Sequence, residues 1–80
     1  MFDEEQVLKI IAEGLDIERS EISLKTKSSD LIEWDSLGHL TLLMKLDEKF
    51  NDVTEKFPEI ASASSVLELL DLLKKHKTEF

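Results

Sequence analysis

The chain has 80 residues, enough for one small domain spanning residues 1–80, and its 41% of hydrophobic residues can build one modest core but no deep enclosed active site besides. It contains no cysteine, which excludes disulfides, thiolate metal sites and cysteine nucleophiles and fits a reducing compartment. Its formal net charge of −8, from 18 acidic and 10 basic side chains, disfavours nucleic acids and anionic membranes as partners and favours a basic protein.

A first amphipathic helix is predicted from about Asp3 to Leu15. Asp3 can cap this helix, and Gln6, three residues later, completes a capping-box pattern. On a helical wheel the apolar arc holds Val7, Ile10, Ile11 and Leu15, and the polar arc holds Glu5, Gln6, Lys9 and Glu13.

Residues 16–35 are predicted to form a long ordered loop with at most a short helical turn, because their aliphatic residues follow neither a helical nor a strand period. The residues expected to pin this loop to the core are Ile17, Ile22, Leu24, Leu31 and Ile32. An irregular stretch of this length in so small a domain is typical of a functional segment.

A second helix is predicted over about Ser36 to Phe50, with Asp35 or Ser36 as its cap. The arc expected to be polar and exposed holds Gly38, Thr41, Lys45, Glu48 and Lys49. The apolar residues Leu37, Leu40, Leu42, Leu43, Leu46 and Phe50 spread over more than half of the remaining circumference. This width is typical of a central helix that touches several others or of a face that contacts a ligand, and both can hold.

The remainder predicts one weak helix and one strong helix. Residues 54–61 form a short helix at best, because Pro58 lacks a backbone donor and Thr54 can cap only one turn before it. A capping box, Ser65-x-x-Glu68, starts the last helix, whose apolar residues are Val66, Leu67, Leu69, Leu70, Leu72 and Leu73 and whose basic end holds Lys74, Lys75 and Lys77. The sum is an all-α, small four-helix bundle of three main helices and one short helix, with a long first loop.

Few residues suggest chemistry. His39 and His76 are far apart, with no cysteine or suitably spaced carboxylate, so no metal site is expected. Ser36 and His39 have the i, i+3 spacing of a possible hydrolase pair, but the glycine of a nucleophile elbow and a preceding strand are missing. Ser36 can be a simple helix cap, and a phosphate attached there would lie near free backbone amides at the positive helix end.

The stretch Glu33-Trp34-Asp35-Ser36-Leu37-Gly38-His39-Leu40, with the hydrophobic spacing that continues to Phe50, resembles the modification site of the acyl carrier protein family. The resemblance covers nearly the whole chain. It implies that Ser36 carries 4'-phosphopantetheine, attached from coenzyme A by a phosphopantetheinyl transferase, whose terminal thiol holds an acyl group as a thioester. It also implies that Asp35 supports the modification, with helix capping as its alternative role, and that Leu37 and Met44 contact partner enzymes or the acyl chain.

We therefore expect a monomeric, non-catalytic carrier that presents acyl intermediates to acyl-transferring or acyl-activating enzymes of a biosynthetic pathway. No apolar run approaches the ~18 residues of a membrane span, and the acidic N-terminus is unlike a signal peptide, which predicts a cytoplasmic protein. The alternatives are a peptidyl or aminoacyl carrier, an unmodified helical interaction module, and a Ser36–His39 hydrolase.

Two departures from the best-known fatty-acid members concern the partners. The arc of Gly38, Thr41, Lys45 and Lys49 stands where those members are acidic, and Trp34 stands where a glycine is common. Both departures leave the identity of the partners open, and the arc, whose lysines would repel a basic docking patch, predicts service to a dedicated pathway.

Overall fold

Four α-helices form the fold of residues 3–76, the part of the chain that the computed structural model describes. They are α1 (Glu4–Leu15), α2 (Ser36–Phe50), α3 (Val53–Lys56) and α4 (Val66–Lys75). Short 3-10 turns lie between them at Arg19–Glu21, Ser28–Asp30 and Pro58–Ser62. The predicted all-α bundle, with three main helices, one short helix and a long first loop, is confirmed. No helix in this part of the chain combines the length and apolar character needed to cross a bilayer.

Side-chain caps start the three main helices at the predicted positions. Asp3 accepts hydrogen bonds from two first-turn backbone N–H groups of α1, at 3.0 and 3.4 Å. Asp35 accepts from the backbone N–H of Gly38 at 2.8 Å, and Ser65 accepts from that of Glu68 at 3.1 Å. Of the two candidate caps for α2, Asp35 is therefore the cap.

One core receives side chains from all four helices. Its fully buried members include Val7, Ile11, Leu42, Leu46, Val53, Ile60, Val66, Leu69 and Leu73. The predicted apolar arc of α1 is buried as expected, whereas Leu67 of α4 remains 52% exposed, so the apolar face of α4 is narrower than predicted. Lys74 and Lys75 lie in the last turn of α4, and Lys77 lies outside the described residues.

The first loop differs from its prediction in two respects. It contains two 3-10 turns, because the carboxylates of Glu21 and Asp30 accept hydrogen bonds from backbone N–H groups three residues earlier, at 2.8 and 2.9 Å. Ile22 is buried, and two other predicted anchors, Ile17 and Leu31, pack against the core. The prediction that the remaining two aliphatic residues pin the loop is wrong, since Leu24 is 44% and Ile32 is 92% exposed.

Polar contacts hold this loop instead. The Arg19 guanidinium donates to both carboxylate oxygens of Glu5, at 2.7 and 2.9 Å, and thereby ties the loop to α1. An isolated antiparallel bridge joins Lys27 to Ser65, with flanking backbone hydrogen bonds of 2.7 and 3.0 Å. The bridge holds the middle of the loop beside the start of α4.

The short helix α3 depends on a side chain of α2. Asn51 and Asp52 have left-handed backbones, with φ of 55° and 58°, and turn the chain out of α2. The predicted cap, Thr54, lies inside α3 instead, and its backbone N–H and hydroxyl both donate to the Asp47 carboxylate, at 2.9 and 2.7 Å. Pro58 then begins a 3-10 turn rather than ending a longer helix.

His76, at the end of α4, contacts the segment that follows α3 through a stacked ring and a side-chain hydrogen bond. The His76 ring stacks on Phe57 with centroids 3.7 Å apart and planes 8° from parallel, and its Nε2 lies 3.2 Å from the Glu59 carboxylate. A hydrogen bond from its own backbone N–H and the contact with His76 lower the pKa of Glu59 below its ordinary value. A carboxylate with a lowered pKa stabilises the fold above its ordinary pKa and loses this contribution as the pH falls through its folded-state pKa.

We therefore expect Glu59→Gln to lower the melting temperature at neutral pH and to melt like the unaltered protein once the pH falls well below 4.5, the ordinary pKa of the group. Circular dichroism melts between pH 3 and pH 7 measure this difference, and Glu55→Gln on α3 controls for the loss of one negative charge. A difference that persists unchanged in acid contradicts the assigned contact.

Candidate functional site

Ser36 is the first residue of α2, and its side chain is exposed. The interpretation of Ser36 as the helix cap is wrong, because the Asp35 carboxylate fills that role. Within residues 3–76, the structure gives the Ser36 hydroxyl no hydrogen-bond partner. The hydroxyl therefore takes no part in the hydrogen bonding of the described residues and lies on the surface.

The backbone around Ser36 suits an attached phosphate. The first N–H groups of an α-helix have no partner within the helix, and the helix dipole places partial positive charge there. In α2 the Asp35 carboxylate occupies the N–H of Gly38, while Ser36 and Leu37 precede that bond in the chain. A phosphate joined to the Ser36 oxygen would therefore be attached at the positive end of a 15-residue helix.

A shallow groove of about 400 Å³ adjoins Ser36. The side chains that line it include Ser28 from the first loop, Trp34 and His39 on either side of Ser36, and Ser64 just before α4. The bridge between the loop and the start of α4 brings these residues together from distant parts of the sequence. The groove beside Ser36 is thus lined by hydroxyl groups together with the rings of Trp34 and His39.

The possible hydrolase pair does not form. The Nδ1 atom of His39 accepts from the Trp34 indole N–H at 2.9 Å, and Nε2 lies 2.7 Å from the carbonyl oxygen of Ala61. Both ring nitrogens are therefore engaged with groups other than Ser36, and neither is placed to accept the serine proton. His39 is half-buried.

The exposed face of α2 is apolar at its start. Leu37, Leu40 and Met44 are 73%, 54% and 60% exposed, and we call these three residues the apolar stripe. Their spacing of three and four residues places them on one side of the helix, beginning next to Ser36. The structure thus puts the predicted contact residues Leu37 and Met44 on the surface and adds Leu40, which the same spacing could have identified.

The predicted exposed arc of α2 is wrong at three positions. Gly38, Thr41 and Lys45 are half-buried, whereas Glu48 and Lys49 are exposed as predicted. Gly38 faces the end of the first loop, and a Cβ atom built there would lie 2.0 Å from the carbonyl oxygen of Glu33. Glycine is therefore required at position 38 because α2 packs closely against the backbone of Glu33 there, and not because the surface must lack a charged side chain.

Two relatives named acyl carrier protein are similar to this chain over almost its full length. The one from Clostridium acetobutylicum is 35% identical over 75 residues, which covers 94% of this chain and 96% of the relative. The one from Azobacteroides pseudotrichonymphae is 28% identical over 75 residues, which covers 94% of this chain and 88% of the relative. No family model and no solved structure matches the chain significantly. A match of this length necessarily includes α2 and the segment before it.

Proposed function

Because this chain belongs to the acyl carrier protein family, we propose that it carries acyl intermediates as thioesters on a 4'-phosphopantetheine arm attached to Ser36. The exposed Ser36 hydroxyl at the start of α2, left free because Asp35 caps the helix, is the observation that supports this attachment. The arm would supply a terminal thiol, at which an acyl group is held as a thioester.

The residues around Ser36 would contribute in distinct ways. During attachment the Ser36 oxygen loses its proton and forms a phosphoester bond, while coenzyme A loses its nucleotide part as the leaving group. Asp35 would support this step by holding the first turn of α2 in place and by placing a carboxylate beside the serine. The positive end of α2 would favour the phosphate once it is formed.

The protein itself would act by tethering. A flexible arm keeps the activated group at a high effective concentration near the active site of each bound partner, and the bundle need not make or break bonds. The partners of this proposal are a phosphopantetheinyl transferase and acyl-transferring or acyl-activating enzymes of the cytoplasm, which bind a monomeric carrier. A peptidyl or aminoacyl carrier would use the same serine, so the chemical identity of the group held on the thiol distinguishes an acyl carrier from these alternatives.

The surface of α2 supports a dedicated set of partners. On α2 itself, the exposed side chains that follow Ser36 most closely are Leu37 and Leu40 of the apolar stripe, and an apolar surface does not attract a basic docking patch by charge. We propose that the carrier exchanges poorly with enzymes of general fatty-acid synthesis. Loading by a housekeeping malonyl transferase at the rate of a fatty-acid carrier would contradict this proposal.

The attachment is tested by incubating the apo protein with coenzyme A and a broad-specificity phosphopantetheinyl transferase. Intact-mass measurement should show the gain of a single phosphopantetheine, and fragmentation of a proteolytic digest should locate it on Ser36. A protein that stays at its apo mass, while a known carrier in the same reaction is converted, would favour the unmodified interaction module.

A further inference from the structure

The His39 side chain joins three parts of the fold at the candidate site. It projects from the first full turn of α2, receives the indole N–H of Trp34 at 2.9 Å and contacts the Ala61 carbonyl oxygen at 2.7 Å. Trp34 belongs to the end of the first loop, and Ala61 belongs to the 3-10 turn Pro58–Ser62. One imidazole thus links the loop, α2 and the turn that follows α3.

The two hydrogen-bond partners of the His39 ring determine which of its nitrogens carries the hydrogen. An indole N–H can only donate, so Nδ1 of His39 must be the accepting, unprotonated nitrogen. A carbonyl oxygen can only accept, so Nε2 must carry the hydrogen that it donates to Ala61. The neutral ring with its hydrogen on Nε2 satisfies both contacts at once.

The contact of His39 with Trp34 can affect the position of Ser36, because Trp34 and Ser36 are close together in the chain. Trp34 is 6% exposed, and its backbone N–H donates to the Leu31 carbonyl oxygen at 3.2 Å. It stands two residues before Ser36, and only Asp35, the cap of α2, separates them. A buried indole whose N–H lost its acceptor would leave an unsatisfied donor, and the segment that leads into Ser36 would have to move to satisfy it.

We infer that His39 is a positioning residue for Ser36: it holds Trp34, and through Trp34 the loop end that presents the serine to the transferase. This inference rests on the proposed function of Ser36. His39 acts at a distance from the reacting oxygen, because its two ring nitrogens bond Trp34 and Ala61. Its loss should therefore slow the attachment without abolishing it.

Two conservative variants separate the two contacts. In His39→Asn the amide oxygen can take the place of Nδ1 and accept from Trp34, whereas in His39→Gln the amide nitrogen can take the place of Nε2 and donate to Ala61. Glutamine is the better helix former of the two. If His39 only stabilises α2, the Gln variant should therefore be modified faster than the Asn variant. If His39 positions Trp34, the Asn variant should be modified faster than the Gln variant.

The measurements are the rate of phosphopantetheine attachment under limiting transferase and the fluorescence of Trp34. Since Trp34 is the single tryptophan and the chain has no tyrosine, the emission reports on the surroundings of Trp34 alone. We expect His39→Gln to slow attachment about threefold to tenfold, the effect of one lost hydrogen bond, and to shift the emission to longer wavelength. We expect His39→Asn to keep both the rate and the emission close to those of the unaltered protein.

The control experiment repeats both substitutions in a Trp34→Phe protein, which lacks the indole N–H donor. In a Trp34→Phe background there is no indole N–H for His39 to accept, so exchanging Asn for Gln at position 39 should no longer change the rate. Circular dichroism shows whether each variant is folded. Equal rates for Asn and Gln, or a faster Gln variant, overturn the positioning role. An unaltered protein that the transferase never converts overturns the proposed function itself.

Discussion

Replacing Ser36 with alanine is expected to abolish the gain of phosphopantetheine altogether while leaving the bundle as stable as before. The hydroxyl is the only group removed, and the attachment has no other proposed acceptor. The fold should not suffer, because Asp35 and not Ser36 caps α2 and because the Ser36 side chain is exposed. Alanine is also the best helix former. Intact mass after the transferase reaction and a thermal melt by circular dichroism give the two results.

The matched control is Asp35→Asn, which keeps the Ser36 hydroxyl and an oxygen that can cap α2. This variant should still reach complete conversion, and a slower rate would support the proposed contribution of the Asp35 charge. An adduct on Ser36→Ala would refute Ser36 as the attachment residue. A large loss of stability in that variant would instead show that the serine has a structural role.

Replacing Gly38 with alanine is expected to destabilise the protein strongly, although helix propensity alone predicts the opposite. Alanine gains about 1 kcal/mol over glycine in a helix interior. Its Cβ, however, would lie 2.0 Å from the Glu33 carbonyl oxygen and 3.0 Å from Cδ2 of Leu15. Overpacking costs about 1–3 kcal/mol, and because a backbone group must move here we expect the upper end, or a fall of roughly 10 °C in melting temperature.

The same substitution should disturb the site, because the Glu33 carbonyl immediately precedes Trp34 in the chain. A change in Trp34 emission should therefore accompany the loss of stability. Leu40→Ala, at an exposed position on the same helix, controls for general effects of altering α2. A Gly38→Ala variant that melts at or above the temperature of the unaltered protein would show that the close approach to Glu33 is easily relieved.

The helices were predictable because their signals are local. The side chains of Asp3, Asp35 and Ser65 can cap only the turns that immediately follow them, and the predicted bounds of α2 agree with the observed helix. The apolar arc of α1 was also predictable, since it needs only the helical period and one core to cover it.

The site was only partly predictable, because its remaining features depend on where distant backbone passes. Nothing in the periodicity of α2 indicates that the Glu33 carbonyl lies against Gly38, so periodicity alone places this half-buried glycine on the surface. The bonds of His39 to Trp34 and Ala61 likewise require the loop and the 3-10 turn to be in place. Spacing alone therefore paired His39 with Ser36, its nearest polar neighbour on the helix.

The two hydrogen bonds between Thr54 and Asp47 determine which part of this bundle can unfold locally while the rest stays folded. A helix of four residues is unstable by itself, because its few hydrogen bonds do not offset the unfavourable nucleation of the first turn. In addition, α3 has no side-chain cap at Asp52. Its first turn persists because the carboxylate of α2 holds both the backbone N–H and the hydroxyl of Thr54. When those two bonds break, the burial of Val53 and the backbone hydrogen bonds of a single turn are what still hold α3, whereas α1, α2 and α4 retain their side-chain caps. Local unfolding, and with it hydrogen exchange, should therefore begin in the segment from Val53 to Ser62.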